Sequence, residues 1–92
     1  MLTRNTDYLF FIRRLISTRV TNGITQLEIA TALGKHQSFV SKYESGERRL
    51  DIAEFIAISR IIGIDPIKIM AEFLDENPQI PPSRSKVKRQ KN

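Results

Sequence analysis

The chain has no cysteine and a single histidine among its 92 residues. The first absence excludes disulfides and thiolate metal sites and makes a reducing compartment the simpler assignment. One histidine would leave a zinc site dependent on carboxylates for most of its ligation, so no metal site is expected. No apolar stretch approaches the ~20 residues that a membrane helix needs. The cluster Tyr8-Leu9-Phe10-Phe11-Ile12 follows Asp7 and precedes Arg13-Arg14. It has neither the basic start, the longer apolar run nor the small-residue cleavage site of a secretory signal, so the chain reads as cytoplasmic. A Gly-rich phosphate loop, a Cys/His nucleophile pair and a metal cluster are also missing, which argues against an enzyme and leaves no cofactor to expect. No segment alternates with period two, and no strand is predicted.

What remains is an ordinary globular composition, 40% hydrophobic and 27% charged, with room for one small core. The net charge of +5 is unevenly spread. Residues 1–50 carry eight basic and four acidic side chains, and residues 51–77 carry two and six. Residues 78–92 hold Arg84, Lys86, Lys88, Arg89 and Lys91 with no acid. A polarised domain with a basic tail suits a polyanionic partner, although a solvated surface would account for the same numbers.

Caps divide the chain into helices. The first is expected from about Thr6 to Thr21, with Phe11, Ile12, Leu15, Ile16 and Arg19 at helical spacing, and Asn22-Gly23 ends it. Thr25-Gln26-Leu27-Glu28 is a capping box, with Ile24 and Ile29 placed as a hydrophobic staple, and Gly34 stops that second helix. The third starts near His36 or Gln37 and runs to about Ser45. A second box, Asp51-Ile52-Ala53-Glu54, with Leu50 and Phe55 as its staple, opens a fourth helix that ends at Gly63. Asp65-Pro66 opens a fifth, which reaches about Leu74, with proline where its missing N–H is harmless. The fold expected is all-α: a compact five-helix bundle over residues 1–77. Pro78, Pro81, Pro82 and the bases that follow predict a disordered basic tail over 78–92, since they cannot bury enough apolar surface to offset chain entropy.

A tight turn between the second and third helices matches a helix-turn-helix. Within it stand Thr25-Gln26-x-Glu28-Ile29-Ala30-x-x-Leu33-Gly34, then Gln37-Ser38-x-Val40-Ser41-Lys42-x-Glu44-x-Gly46, extended by Gly46-Glu47-Arg48-Arg49-Leu50-Asp51. This set resembles the Cro/CI-type, or Xre-like, DNA-binding family over roughly residues 8–74. Any fragment of it is unspecific; the whole spaced set with matching caps is not.

Spacing on the third helix independently puts Val40, Tyr43 and Glu44 on one side and Ser38, Lys42 and Ser45 on the other, with Phe39 and Ser41 at the margins. A short polar outer face is what a recognition helix presents to base edges. Ser38, Phe39, Ser41 and Lys42 are therefore candidate base contacts, and the resemblance adds Gln37 to them. Phe39 is expected at the DNA-facing margin, against thymine methyls or sugar edges, because Val40 and Tyr43 already claim the buried side.

The resemblance further implies a glutamine pair, Gln26 touching phosphate and steadying Gln37, which then bonds adenine. It also implies an architectural Arg19–Glu44 ion pair. Arg48 and Arg49, in the loop after the third helix, are placed for phosphate. His36 departs from the family pattern and is a poor cap, so the first turn of the third helix is expected to fray or begin late.

The reading that follows is a transcriptional regulator, a repressor, that recognises a palindrome on double-stranded DNA without a small-molecule effector domain. A phage-type repressor, a restriction-modification controller and an antitoxin with a toxin partner remain open. So does a protein-interaction module using the acidic, apolar fourth and fifth helices. A homodimer is expected, its interface centred on the fifth helix with Ile64, Ile67 and Leu74 exposed, while Ile69, Met70 and Phe73 seal the core.

Overall fold

The computed structural model describes residues 5–77. Five helices follow one another: α1 (Asn5–Thr21), α2 (Gln26–Leu33), α3 (Gln37–Ser45), α4 (Ile52–Ile62) and α5 (Pro66–Glu76). There is no strand among the described residues. The expected tail over 78–92 lies outside them.

Local chemistry sets the boundaries. The Thr25 hydroxyl accepts from the Glu28 amide at 3.0 Å, and the Glu28 carboxylate accepts from the Thr25 amide at 2.8 Å. Asp51 and Glu54 repeat the box at α4, with bonds of 2.7 and 3.0 Å. Each box satisfies two amides that a helix start leaves without partners. At the other end of α2, Gly34 turns left-handed at φ 70°, and the Lys35 amide reaches back to the Ala30 carbonyl at 2.9 Å. A side chain at that φ is strained, so glycine makes the α2–α3 turn tight. Helix α5 runs two residues past the expected Leu74. Asn77 ends it by donating from its side-chain amide to the Phe73 carbonyl at 2.8 Å.

All five helices supply one core. Ile12 and Leu15 come from α1, Ile29 and Ala30 from α2, Val40 and Tyr43 from α3, Phe55, Ile58 and Ile62 from α4, and Ile69 from α5. Fully burying an aliphatic side chain of this size contributes about 1.5–3 kcal/mol, so the core is the main stabilising feature. Buried Ser59 keeps its hydroxyl satisfied by donating to the Phe55 carbonyl at 2.8 Å. Beside the core, Phe11 meets Phe55 edge-on at 5.8 Å and lies tilted against Phe73 at 4.9 Å, joining α1, α4 and α5.

Helix α1 touches α3, α4 and α5, while α2 packs on α3 and α4. Arg14 fastens α1 to α5 through Glu72, with Nε to Oε1 at 2.8 Å. That guanidinium holds the Glu72 carboxyl below the usual glutamate range. The consequence for function is positional: α2 and α3 sit side by side, and among the described residues no helix lies over the outer face of α3.

Candidate nucleic-acid interface

Helix α3 divides as an amphipathic helix should. Val40 and Tyr43 are fully buried, whereas Ser38, Ser41, Lys42 and Ser45 are exposed. The Ser41 hydroxyl donates to the Ser38 carbonyl at 3.2 Å, and Ser45 donates to the Lys42 carbonyl at 3.1 Å. These back-bonds occupy the hydroxyl protons, so the exposed Ser41 and Ser45 oxygens can act as acceptors until the hydroxyls rotate. Lys42 makes no ion pair among the described residues, and its ammonium is available to an outside acceptor.

His36 is the residue before the first turn of α3. It adopts an extended backbone and makes no side-chain cap, and the helix begins at Gln37. The Phe39 amide nevertheless finds the His36 carbonyl at 3.0 Å.

Four side chains connect in series: Arg19 in the last turn of α1, Glu44 near the end of α3, and Gln26 and Gln37 at the starts of α2 and α3. Arg19 grips Glu44 with two prongs, Nε to Oε2 at 2.8 Å and Nη2 to Oε1 at 3.1 Å, and its third nitrogen donates to the Ile24 carbonyl at 3.0 Å. The pair is only 16% and 10% exposed, which places it in the partly desolvated range where removing one partner matters. Glu44 Oε1 also accepts from Gln26 Nε2 at 2.8 Å. Gln26 Oε1 in turn faces Gln37 Nε2 at 3.5 Å, a long contact. Gln37 is exposed beyond it. The structure thus brings Gln26, Gln37, Arg19 and Glu44 together. Sequence reasoning treated them as two separate pairs and missed the Gln26–Glu44 bond that joins them. A glutamine opening α2 gave no local signal for a partner on α3.

Phe39 sits at the margin of α3, but closer to the core than expected. Its ring is partly buried and packs against the core, edge-on to Tyr43 at 5.8 Å. Val40 and Tyr43 do not exhaust the buried side of α3, because a helix face spans more than one residue per turn. Lys35 Nζ lies 5.2 Å and Arg48 Cζ 4.6 Å from the Phe39 ring centroid, so two cations contact the ring at the edge of α3.

The loop arginines are more constrained than free loop side chains. Arg48 donates through both terminal nitrogens to Glu54 at 2.9 Å. This bond holds the Glu54 carboxyl below its ordinary range and raises the guanidinium's pKa further. Arg49 stacks over the Tyr8 ring at 4.2 Å and reaches Asn5 at 3.3 Å. Both arginines remain exposed; Arg48 shares the Phe39 ring with Lys35 at the edge of α3, whereas Arg49 lies against the start of α1.

On α5 and the turn before it the expected interface residues separate. Ile67 is 71% and Leu74 57% exposed. Ile64 packs against the core instead, because the Ile64 amide folds back onto the Ser59 carbonyl at 2.9 Å and carries its side chain inward.

This arrangement is two adjacent helices with a glycine turn, a polar exposed face on the second, and cations at its rim. Residues 15–69 match the family model described as helix-turn-helix. A solved structure of an XRE-family like protein from Pseudomonas syringae pv. tomato str. DC3000 is similar at 43% identity over 80% of this chain and 90% of that one, with a TM-score of 0.77. The chain belongs to the Xre-like helix-turn-helix family. No curated protein matches it. Membership makes this helix-turn-helix protein a DNA-binding regulator in kind, with the fold expected of one. Among the described residues no helix is long and apolar enough to cross a membrane, and no group of three metal-ligating side chains occurs.

Proposed function

We propose that this helix-turn-helix protein is a sequence-specific repressor that occupies a palindromic operator as a homodimer, with α3 in the major groove. The observation that carries the reading is the contact between Gln26 and Gln37 at the starts of α2 and α3, beside the uncovered face of α3. Gln37 keeps its carbonyl oxygen and one N–H for an adenine edge, the bidentate mode open to glutamine. Ser38, Ser41 and Lys42 follow along the groove. The exposed margin of Phe39 supplies an apolar surface for a thymine methyl.

Phosphate contacts then fall to Gln26, Arg48 and Arg49. Gln26 has a second N–H left after bonding Glu44, and it stands at the N-terminus of α2, where amides and the helix dipole favour an anion. For the loop arginines, phosphate competes with Glu54 and with the Tyr8 ring. Such contacts set affinity and register rather than base preference.

Ile67, Ala71 and Leu74 stand at helical spacing on one exposed face of α5, which supports a two-fold contact through that helix. Such an axis sets two recognition helices about one DNA turn, ~34 Å, apart. Selection from random duplex DNA tests the whole reading. An inverted repeat with half-sites one turn apart is the expected product, and a flat pool after selection would reject it.

A further inference from the structure

We infer that Glu44 is a specificity-positioning residue: through Gln26 it sets the direction in which the Gln37 amide presents its donor and acceptor to DNA. The inference rests on the proposal that Gln37 reads a base, and it concerns what decides which base is read.

A glutamine amide has two ends of similar shape and opposite hydrogen-bonding character, and only its partners determine which end points where. In this protein the choice is made at Glu44. Both of its oxygens are gripped by Arg19, and the Arg19 guanidinium is itself anchored on the Ile24 carbonyl. An ionised carboxylate accepts only. The Gln26 end that meets it at 2.8 Å must therefore be the NH2 group. That leaves the Gln26 oxygen facing Gln37, so the Gln37 end that approaches it is also NH2. One N–H of Gln37 is then directed at Gln26. Its other N–H and its oxygen form the outward edge, in a fixed order along the groove.

Order is what distinguishes bases. Adenine presents an acceptor at N7 beside a donor at N6, which matches an N–H and an oxygen in one sequence only. Guanine presents two acceptors, N7 and O6, and suits neither order. Were the Gln26 amide reversed, the Gln37 edge would reverse with it, and the adenine match would be lost without any change in the residue that touches DNA. The carboxylate prevents that reversal from a position with no direct access to the base. The chain of contacts spans α1, α3, α2 and α3 again, and its first three members are partly buried while the last is exposed.

The test is a base-preference profile at every position of the selected operator for the wild-type chain, Gln37→Ala, Glu44→Gln and the double variant Arg19→Met/Glu44→Leu. Urea unfolding of each variant runs alongside. An amide at position 44 offers both a donor and an acceptor, so Gln26 is no longer held one way. Glu44→Gln is expected to lose about tenfold in discrimination at the base that Gln37→Ala also affects, within the range a bidentate contact supplies. Preferences elsewhere, and the salt dependence, stay as in wild type. A merely architectural Glu44 would lower affinity at all positions alike. If Glu44→Gln does not fold, the double variant decides, because it replaces the ion pair with apolar volume and still removes the carboxylate. Retained discrimination at the Gln37 position in a folded variant overturns the inference. A profile unchanged by Gln37→Ala overturns instead the reading that Gln37 contacts a base.

Discussion

Arg48, in the loop after α3, and Glu54, in the first turn of α4, share a two-pronged ion pair with both N···O distances at 2.9 Å. Glu54 is at the same time the reciprocal half of the α4 capping box, accepting from the Asp51 amide at 3.0 Å. A single carboxylate therefore ties the edge of the candidate DNA surface to the start of the next helix.

The pair predicts a pH effect with a definite sign. Arg48 holds the Glu54 carboxyl below its unfolded value, so the pair contributes stability that is fully present above the ordinary glutamate range. That stability is lost as pH falls through the depressed folded value. Glu72, held down by Arg14, adds a second contribution of the same sign. Urea midpoints should therefore decline through the acidic range. In Arg48→Ala the decline should be shallower, with the difference from wild type smaller in high salt because the pair is exposed. Equal pH slopes in the two proteins would show that the pair does not persist in solution.

Arg19 and Glu44 should be strongly coupled. Arg19→Met alone leaves a largely buried carboxylate with only Gln26, and about 3–5 kcal/mol of stability should be lost. Adding Glu44→Leu should recover much of that loss. A double-mutant cycle in urea measures the coupling directly, and additive losses would count against it.

The two classes of DNA contact should separate by salt. Lys42→Ala is expected to weaken the cognate duplex by about 1–3 kcal/mol and relax preference at one position. Arg49→Ala should weaken cognate and scrambled duplexes alike and reduce the salt slope by about 1. Titrations against both duplexes at several salt concentrations distinguish these outcomes. Equal losses on both for Lys42→Ala would remove it from base reading.

Association should depend on α5. Ile67 lies 71% exposed, and a charge placed there meets solvent in a monomer but an apolar partner face in a dimer. Ile67→Glu should fold, lose the concentration dependence of its unfolding midpoint, and shift the sedimentation of micromolar protein from dimer to monomer. A wild-type protein that sediments as a monomer would rule out a dimer formed before DNA is bound.

The helices themselves were legible in the sequence because their punctuation is local. Thr25 with Glu28, Asp51 with Glu54, and Asp65 before Pro66 act on amides within four residues, and Gly34 and Gly63 take a backbone conformation set at one position. The spacing of Val40 and Tyr43 likewise marked the inner face of α3, since side-chain direction on a helix follows from residue number. The spaced motif carried the family with it.

Beyond the Arg19–Glu44 and Gln26–Gln37 pairs that the resemblance implied, tertiary structure alone decided the partners. Gln26 and Glu44 are 18 positions apart, and Arg49 and Asn5 are 44 apart. No periodicity encodes such meetings, which depend on how the helices cross. The same applies to Phe39, drawn onto the core although it sits at the margin of its helix, and to Ile64, turned inward where Ile67 is left out. A residue's neighbours along the chain set its conformation, but its exposure and its hydrogen-bond partners are set by whatever surface packs against it.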